Sequence, residues 1–129
     1  MALDIEVIGA ELAPGAPPVA EVERLVGVAL ASAGVHDGHV AVQYVDEVSM
    51  MQANAHRGAQ GPTDVLSFPV DGADATPGPR EVGDVLICPP RTEDLREAIV
   101  HGALHLAGMD HEVDDGEMLA LQRELLAWG

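Results

Sequence analysis

A chain of 129 residues is long enough for one domain with its own core, and we expect residues 1–129 to form a single domain. Its 22 acidic residues against 6 arginines and no lysine give a formal charge of −16, which argues against a broad surface for polyanions, because such affinity comes mainly from cations. The single cysteine excludes an internal disulfide, no apolar run approaches the length that spans a bilayer and the N-terminus carries no export signal, so we expect a cytoplasmic protein with no membrane partner.

The first half of the chain alternates predicted strands and helices. Residues 3–8 alternate apolar and acidic side chains, which predicts a half-buried strand. Apolar side chains recur at helical spacing over residues 19–33. A second strand is predicted over 39–45, followed by a helix over 47–57 that Asp46 can cap.

Two further strands are predicted in the second half. The first covers residues 63–70, where Pro69 indicates an edge strand or a strand end, because proline cannot donate to a neighbouring strand. Residues 71–80 have turn composition and are predicted to form a hairpin loop. The next strand covers residues 82–88 and ends at a pair of prolines.

Two helices are predicted to close the chain. Thr92 is a suitable start for the first, and the second runs over residues 117–127, with core positions at Met118, Leu119, Leu121, Leu125 and Leu126. The order strand, helix, strand, helix, two strands and two helices predicts one α+β domain with a mixed sheet of about four strands packed by helices.

Three histidines in the segment 101–111 have the spacing of a metal site. His101 and His105 are four residues apart, so on a helix their imidazoles leave the same face. His111 reaches the same ion only if the helix stops and the chain turns back, and Gly108 stands where that stop is needed. We therefore predict that these three histidines bind one zinc ion per chain.

An alternative is that these histidines are ordinary helix or core residues. The helical wheel argues against it, because an apolar stripe lies about 180° from His101 and is expected to face the core. The stripe comprises Leu95, Ile99, Ala103 and Leu106. Three ligands leave tetrahedral zinc with an open position, as in catalytic sites, whereas a fourth ligand such as Cys88 or Asp110 would make a closed structural site. Imidazole sites also accept nickel, copper or cobalt.

Position 102 separates this segment from the metalloproteases with the pattern H-E-x-x-H-x-x-G-x-x-H. Gly102 replaces the glutamate that acts there as general base. The geometry of a metal site can therefore be shared without the peptidase chemistry. The sequence does not assign the general base. Glu97 lies one turn before His101, and we favour a partner of the metal ligands or an exposed residue over a general base at this position.

Two blocks of sequence resemble a known family. The first is His101-Gly102-x-Leu104-His105-Leu106-x-Gly108-x-Asp110-His111, and the second is Asn54-x-x-Arg57 followed by Pro62-Thr63-Asp64-Val65-Leu66-Ser67-Phe68-Pro69. A looser third block is Gly83-Asp84-Val85-Leu86-Ile87. Together they resemble the YbeY family of endoribonucleases, which mature ribosomal RNA.

The resemblance implies a zincin-like fold with zinc at one end of the sheet. It also implies cleavage of single-stranded RNA at the 3′ end of small-subunit ribosomal RNA and a part in ribosome quality control. Ribosomal particles are the expected partners, and DNA is not. Arg57 matches an active-site arginine of the family and is suited to bind a phosphate, although position alone favours a simple helix C-terminal arginine. The alternatives are another metallohydrolase, including a peptidase, and a non-catalytic ribosome assembly factor stabilised by zinc.

Overall fold

A four-stranded sheet organises the computed structural model, which describes residues 3–56, 58, 61, 63–69, 81–108 and 116–127. The strands are β1 (Leu3–Ile8), β2 (Gly38–Tyr44), β3 (Val65–Pro69) and β4 (Glu81–Ile87). Their spatial order is β1-β2-β4-β3, with β1, β2 and β4 parallel and β3 antiparallel to β4. The structure therefore confirms the predicted α+β class, the mixed sheet of four strands and the edge position of β3.

Four helices accompany the sheet in the described ranges. They are α1 (Val19–Ser32), α2 (Glu47–His56), α3 (Leu95–Leu106) and α4 (Glu117–Ala127). Two short 3₁₀ turns, Ala10–Leu12 and Pro89–Arg91, were not predicted from the sequence. In the part of the chain that the structure describes, none of the helices has the length and apolar character needed to cross a membrane.

One face of the sheet carries the main core. The alternation along β1 and β2 turns Ile5 and Val40 toward the helices, and their Cα atoms are paired in the register of the two strands. Three helices, α1, α3 and α4, cover this face. Among them α3 is central, because it packs against α1, α4, β3 and β4. The predicted metal-binding helix is thus held on several sides.

The opposite face carries a smaller core. Its buried members are Val45, Met50, Leu66 and Cys88, with Ala53, Phe68 and Leu86 packed against them. Of the helices that the structure describes, α2 alone contributes to this group, through Met50 and Ala53. Toward β1 the same face carries the exposed acidic side chains of Asp4 and Glu6.

The start of α3 differs from the prediction. Asp94, and not Thr92, is the N-terminal cap, since its carboxylate accepts hydrogen bonds from the backbone N–H groups of Arg96 (3.0 Å) and Glu97 (3.2 Å). The Thr92 hydroxyl instead donates to the Cys88 carbonyl at 2.8 Å. The prediction was wrong because the 3₁₀ turn before Thr92 delays the helix.

The closing helix has the predicted bounds but not all of the predicted core positions. Met118 and Leu125 are buried, whereas Leu119 is 41% exposed. The third buried residue of α4 is Gln122, a polar side chain. The buried stripe of α4 thus lies at 118, 122 and 125, which are neighbours on one helical face.

Candidate functional site

His101 and His105 lie side by side on α3. Their Nε2 atoms are 3.1 Å apart, and the ring centroids are separated by 4.7 Å with an interplanar angle of 72°. Both side chains are partly buried. The spacing of four residues therefore brings the same nitrogen of each ring to one place.

The surroundings of this histidine pair differ from the expected open face. Val100 and Leu104 are fully buried although neither belongs to the predicted apolar stripe, so α3 has a wider buried surface than the wheel indicated. On the side of His101, α4 contributes Gln122, whose Oε1 lies 2.8 Å from Nδ1 of His101. The pair is therefore partly buried, and α4 contacts it on the side of His101.

The helix that bears the pair ends where the sequence predicted. Leu106 is its last residue, and Gly108 has φ +97°, the left-handed conformation that favours glycine. His111 and Asp110 lie outside the described residues. Within the described ranges, no group of three histidine, cysteine, aspartate or glutamate side chains is arranged to hold a metal ion. The three-histidine site therefore stays a prediction.

Gly102 lies against the sheet. A Cβ atom added there would lie 2.5 Å from Cγ1 of Val85 and 3.3 Å from Oγ of Ser67. The Ser67 hydroxyl donates to the Gly102 carbonyl at 2.9 Å. The residue between the two histidines thus points away from them, and the structure leaves no space for a glutamate side chain at this position.

A cavity of about 440 Å³ adjoins His101. It is lined by Asp64, Val65, Arg91, Thr92, Glu93, Asp94, Glu97, Ala98 and His101. Four of these residues are acidic, and the arginine is engaged, since Nε of Arg91 donates to Glu47 at 2.7 Å. Glu97 therefore shares a cavity with His101, which fits either role considered for it. The cavity carries more negative than positive groups.

Arg57, the predicted catalytic residue, lies outside the described residues, but the segment around it has a clear anchor. Asn54 is only 6% exposed, and its Nδ2 donates to the carbonyl of Gly61 at 2.8 Å. At the end of α2, the N–H of Gly58 donates to the carbonyl of Ala55 at 2.9 Å. Asn54 thus ties the helix before Arg57 to the chain that follows it, a role not predicted from the sequence.

Cys88 occupies a different part of the molecule from the histidines. It is fully buried in the smaller core with Met50 and Leu66. Burial raises the pKa of its thiol, which disfavours the thiolate that binds metals. Cys88 is therefore a buried thiol just after the end of β4.

Gln122 is the contact of His101 that sequence reasoning missed. Its signal was a polar residue inside the apolar stripe of α4, between Met118 and Leu125. Only apolar positions of that helix were predicted to lie in the core. A glutamine placed at a buried helical position needs a hydrogen-bond partner, and the partner here is a predicted metal ligand.

Comparison with known proteins gives consistent matches. The family model described as Endoribonuclease YbeY matches residues 19–128. A protein named Endoribonuclease YbeY from Alkalilimnicola ehrlichii is 39% identical over 98% of this chain and 87% of its own length. A protein of the same name from Clavibacter michiganensis subsp. michiganensis is 37% identical over 81% of this chain and 82% of its own. The solution structure of a Thermotoga maritima protein is similar with a TM-score of 0.56 and 26% identity, covering 95% of this chain and 86% of that chain.

Proposed function

Because this chain belongs to the YbeY family of endoribonucleases, we propose that it cleaves single-stranded RNA with one bound zinc ion during ribosomal RNA maturation. Membership in the family confirms the predicted enzyme class, an endoribonuclease. We further propose that its target is the 3′ end of small-subunit ribosomal RNA and that it takes part in ribosome quality control. Ribosomal particles are its proposed partners, and the cytoplasm is its proposed location.

The observation that supports a metal site is the approach of two Nε2 atoms. Two nitrogens that bind one tetrahedral zinc ion at about 2.0–2.1 Å lie roughly 3.3–3.4 Å apart. In the structure, Nε2 of His101 and Nε2 of His105 are 3.1 Å apart. The residues present fit a metal ion, and His111, after the left-handed turn at Gly108, is the proposed third ligand.

The proposed chemistry is hydrolysis of a phosphodiester. When bound, a zinc ion supplies a Lewis acid and lowers the pKa of water. Arg57 is proposed to donate paired hydrogen bonds to the phosphate oxygens, on which negative charge increases in the transition state. Asn54 supports that role by joining α2 to Gly61 across the segment that contains Arg57.

The acidic surface limits how RNA can bind. Arg91 pairs with Glu47, and Arg24 pairs with Glu21, so these cations are already engaged within the chain. With a formal charge of −16 the protein repels a polyanion at long range. RNA binding is therefore proposed to depend on the metal, on Arg57 and on a partner that delivers the substrate.

The packing of Gly102 disfavours the peptidase alternative. A peptidase of the H-E-x-x-H type needs a glutamate that faces the site from the position after the first histidine. In this chain that position is in contact with Val85 and Ser67 of the sheet. Any peptidase activity would need a base from another part of the molecule.

Metal analysis combined with an RNA cleavage assay tests the proposal. Purified protein is expected to contain about one zinc ion per chain and to cleave single-stranded RNA in preference to duplex RNA, DNA or peptides. Substitution of His101, His105 or His111 by alanine is expected to abolish metal content and cleavage together. His36→Ala, which changes an exposed histidine outside the segment, is the matched control and is expected to retain both.

Arg57→Ala separates binding of the metal from stabilisation of the phosphate. We expect this variant to retain metal and to lose cleavage by about 100- to 1,000-fold, because one donor to the developing charge is removed. Equal loss of metal and cleavage would show a structural arginine. Unchanged RNA cleavage by metal-free histidine variants would overturn the proposed function.

A further inference from the structure

Gln122 is a buried amide whose place in the fold is not explained by packing alone. It is 7% exposed, and Asn54 is the other buried polar residue among those that the structure describes. Asn54 bonds a backbone carbonyl, whereas Gln122 places its oxygen 2.8 Å from Nδ1 of His101. His101 and Gln122 are 21 positions apart in sequence, so their contact joins α4 directly to the histidine pair.

The chemistry of the contact selects one form of the imidazole ring. An amide oxygen accepts hydrogen bonds and cannot donate, so Nδ1 of His101 must carry the hydrogen. A neutral ring with hydrogen on Nδ1 has its lone pair on Nε2. That Nε2 is the atom that lies 3.1 Å from Nε2 of His105. The contact with the amide oxygen therefore leaves the lone pair that can bind a metal on Nε2 of His101, which faces His105.

The distance between the two Nε2 atoms is compatible with the same assignment. Two ring nitrogens at 3.1 Å cannot both carry hydrogen without repulsion. If His101 holds its hydrogen on Nδ1, its Nε2 can accept the hydrogen of His105 in the metal-free protein. The contacts of His101 with Gln122 and with His105 are then satisfied by a single tautomer.

From these contacts we propose that Gln122 is a positioning residue, which fixes the tautomer and orientation of His101 and so raises the affinity of the histidine pair for zinc. The proposal rests on the proposed function in one respect, that the pair binds a metal. Hydrogen-bond partners behind a metal-binding histidine typically change metal affinity by about 10- to 100-fold. The position of Gln122 on the last helix also gives α4 a role beyond covering the core.

The first test reads the tautomer directly in the metal-free protein. Long-range ¹H–¹⁵N correlation spectra distinguish a ring with hydrogen on Nδ1 from one with hydrogen on Nε2. For the unsubstituted chain at a pH where His101 is neutral, we expect hydrogen on Nδ1 of His101. Hydrogen on Nε2 would mean that the amide presents its nitrogen, and the proposal would be overturned.

The second test compares variants by zinc affinity, measured in competition with a chelator of known affinity. Gln122→Met keeps the length of the side chain but has no oxygen, and we expect about a 10- to 100-fold loss of affinity with loss of the Nδ1–H preference. Gln122→Glu keeps an acceptor and is expected to retain affinity within a few fold. Unchanged affinity in Gln122→Met would overturn the proposal.

Two controls separate positioning from general stability of α4. Arg123→Met makes a similar change at the neighbouring exposed position and should leave affinity unchanged. Leu125→Ala weakens the packing of the same helix, so it should lower the free energy of unfolding while the tautomer of His101 is kept. If zinc affinity and the Nδ1–H preference of His101 fell equally in Leu125→Ala and Gln122→Met, Gln122 would be structural and the proposal wrong.

Failure of the positioning role of Gln122 can be distinguished from failure of the proposed RNA cleavage. The tautomer and the zinc affinity are measured without RNA. If the chain binds zinc as expected but cleaves no RNA, the proposed function fails and the positioning role stands. If the chain cleaves RNA while Gln122→Met binds zinc normally, the function stands and the positioning role fails.

Discussion

The two faces of the sheet differ in how they are covered. On one face, α1, α3 and α4 bury a continuous core with fully buried side chains such as Ile99 and Leu104. On the other, α2 covers only a small cluster around Met50, and the exposed side chains of Asp4 and Glu6 lie farther along the same face. The histidine pair belongs to the helix at the centre of the crowded face.

This difference gives a physical reason for the position of the proposed metal site on α3. A metal site needs its ligands held in nearly fixed positions, and side chains on packed helices are held more firmly than those on loops. The helix α3 meets neighbours on several sides, including a direct backbone approach to the sheet at Gly102. The predicted catalytic Arg57 instead follows α2, whose own packing is slight.

Truncation of a buried side chain should lower the free energy of unfolding more on the crowded face than on the other. Ile99→Ala is expected to lower the free energy of unfolding by about 4 kcal/mol, because the packed main core cannot collapse around the cavity. Met50→Ala should lower it by about 2 kcal/mol, since a small cluster beneath one helix can relax. Urea unfolding measures both. Equal losses would show that the two faces contribute alike.

Substitution of two helical glycines by alanine should change stability in opposite directions. Gly102→Ala is expected to destabilise the protein by about 1–3 kcal/mol, because the new Cβ would lie 2.5 Å from the buried Val85. Gly27→Ala in α1 has no neighbouring atom within 4 Å, so it should stabilise by about 0.5–1 kcal/mol. The same unfolding measurement applies. A stabilising Gly102→Ala would contradict the close approach of α3 to the sheet.

The smallest expected effect concerns acid stability of α2. Its cap Asp46 accepts a hydrogen bond from the N–H of Ser49 at 2.7 Å, and this bond lowers the pKa of the carboxyl in the folded state. A lowered folded pKa means that the carboxylate adds stability above the ordinary aspartate range and loses it as pH falls through the folded pKa. Asp46→Asn should therefore be slightly less stable than the unsubstituted chain at pH 7.

A pH series of unfolding free energies tests this prediction. The difference between the unsubstituted chain and Asp46→Asn should shrink as the pH falls below the ordinary aspartate range. Glu23→Gln, at an exposed position of α1, controls for the loss of one negative charge. A difference that stays constant down to strong acid would rule out the charged cap as its cause.

Local pattern predicted the elements of the fold well where one face is buried and the other exposed. The alternation in residues 3–8 corresponds to β1, and the apolar spacing in 117–127 corresponds to α4. The stop at Gly108 also followed from its residue type. The start of α3 was mistaken because Thr92 and Asp94 are both good caps, and only the preceding 3₁₀ turn decides between them.

Contacts between distant elements were beyond the reach of local pattern. The order of the strands, the approach of Val85 to Gly102 and the pairing of Gln122 with His101 all depend on how helices and strands pack. Periodicity assigns a residue to a face but does not name the residue opposite. The spacing of His101 and His105 was informative because both lie on one helix.

The acidic side chains of β1 have a consequence for association between molecules. Among the strands that the structure describes, β1 forms one edge of the sheet, the side on which a further strand would pair. Asp4 and Glu6 are exposed along it, so a second copy aligned there would bring like charges together. This edge therefore opposes growth of the sheet into aggregates at low ionic strength and resists it less as salt screens the repulsion.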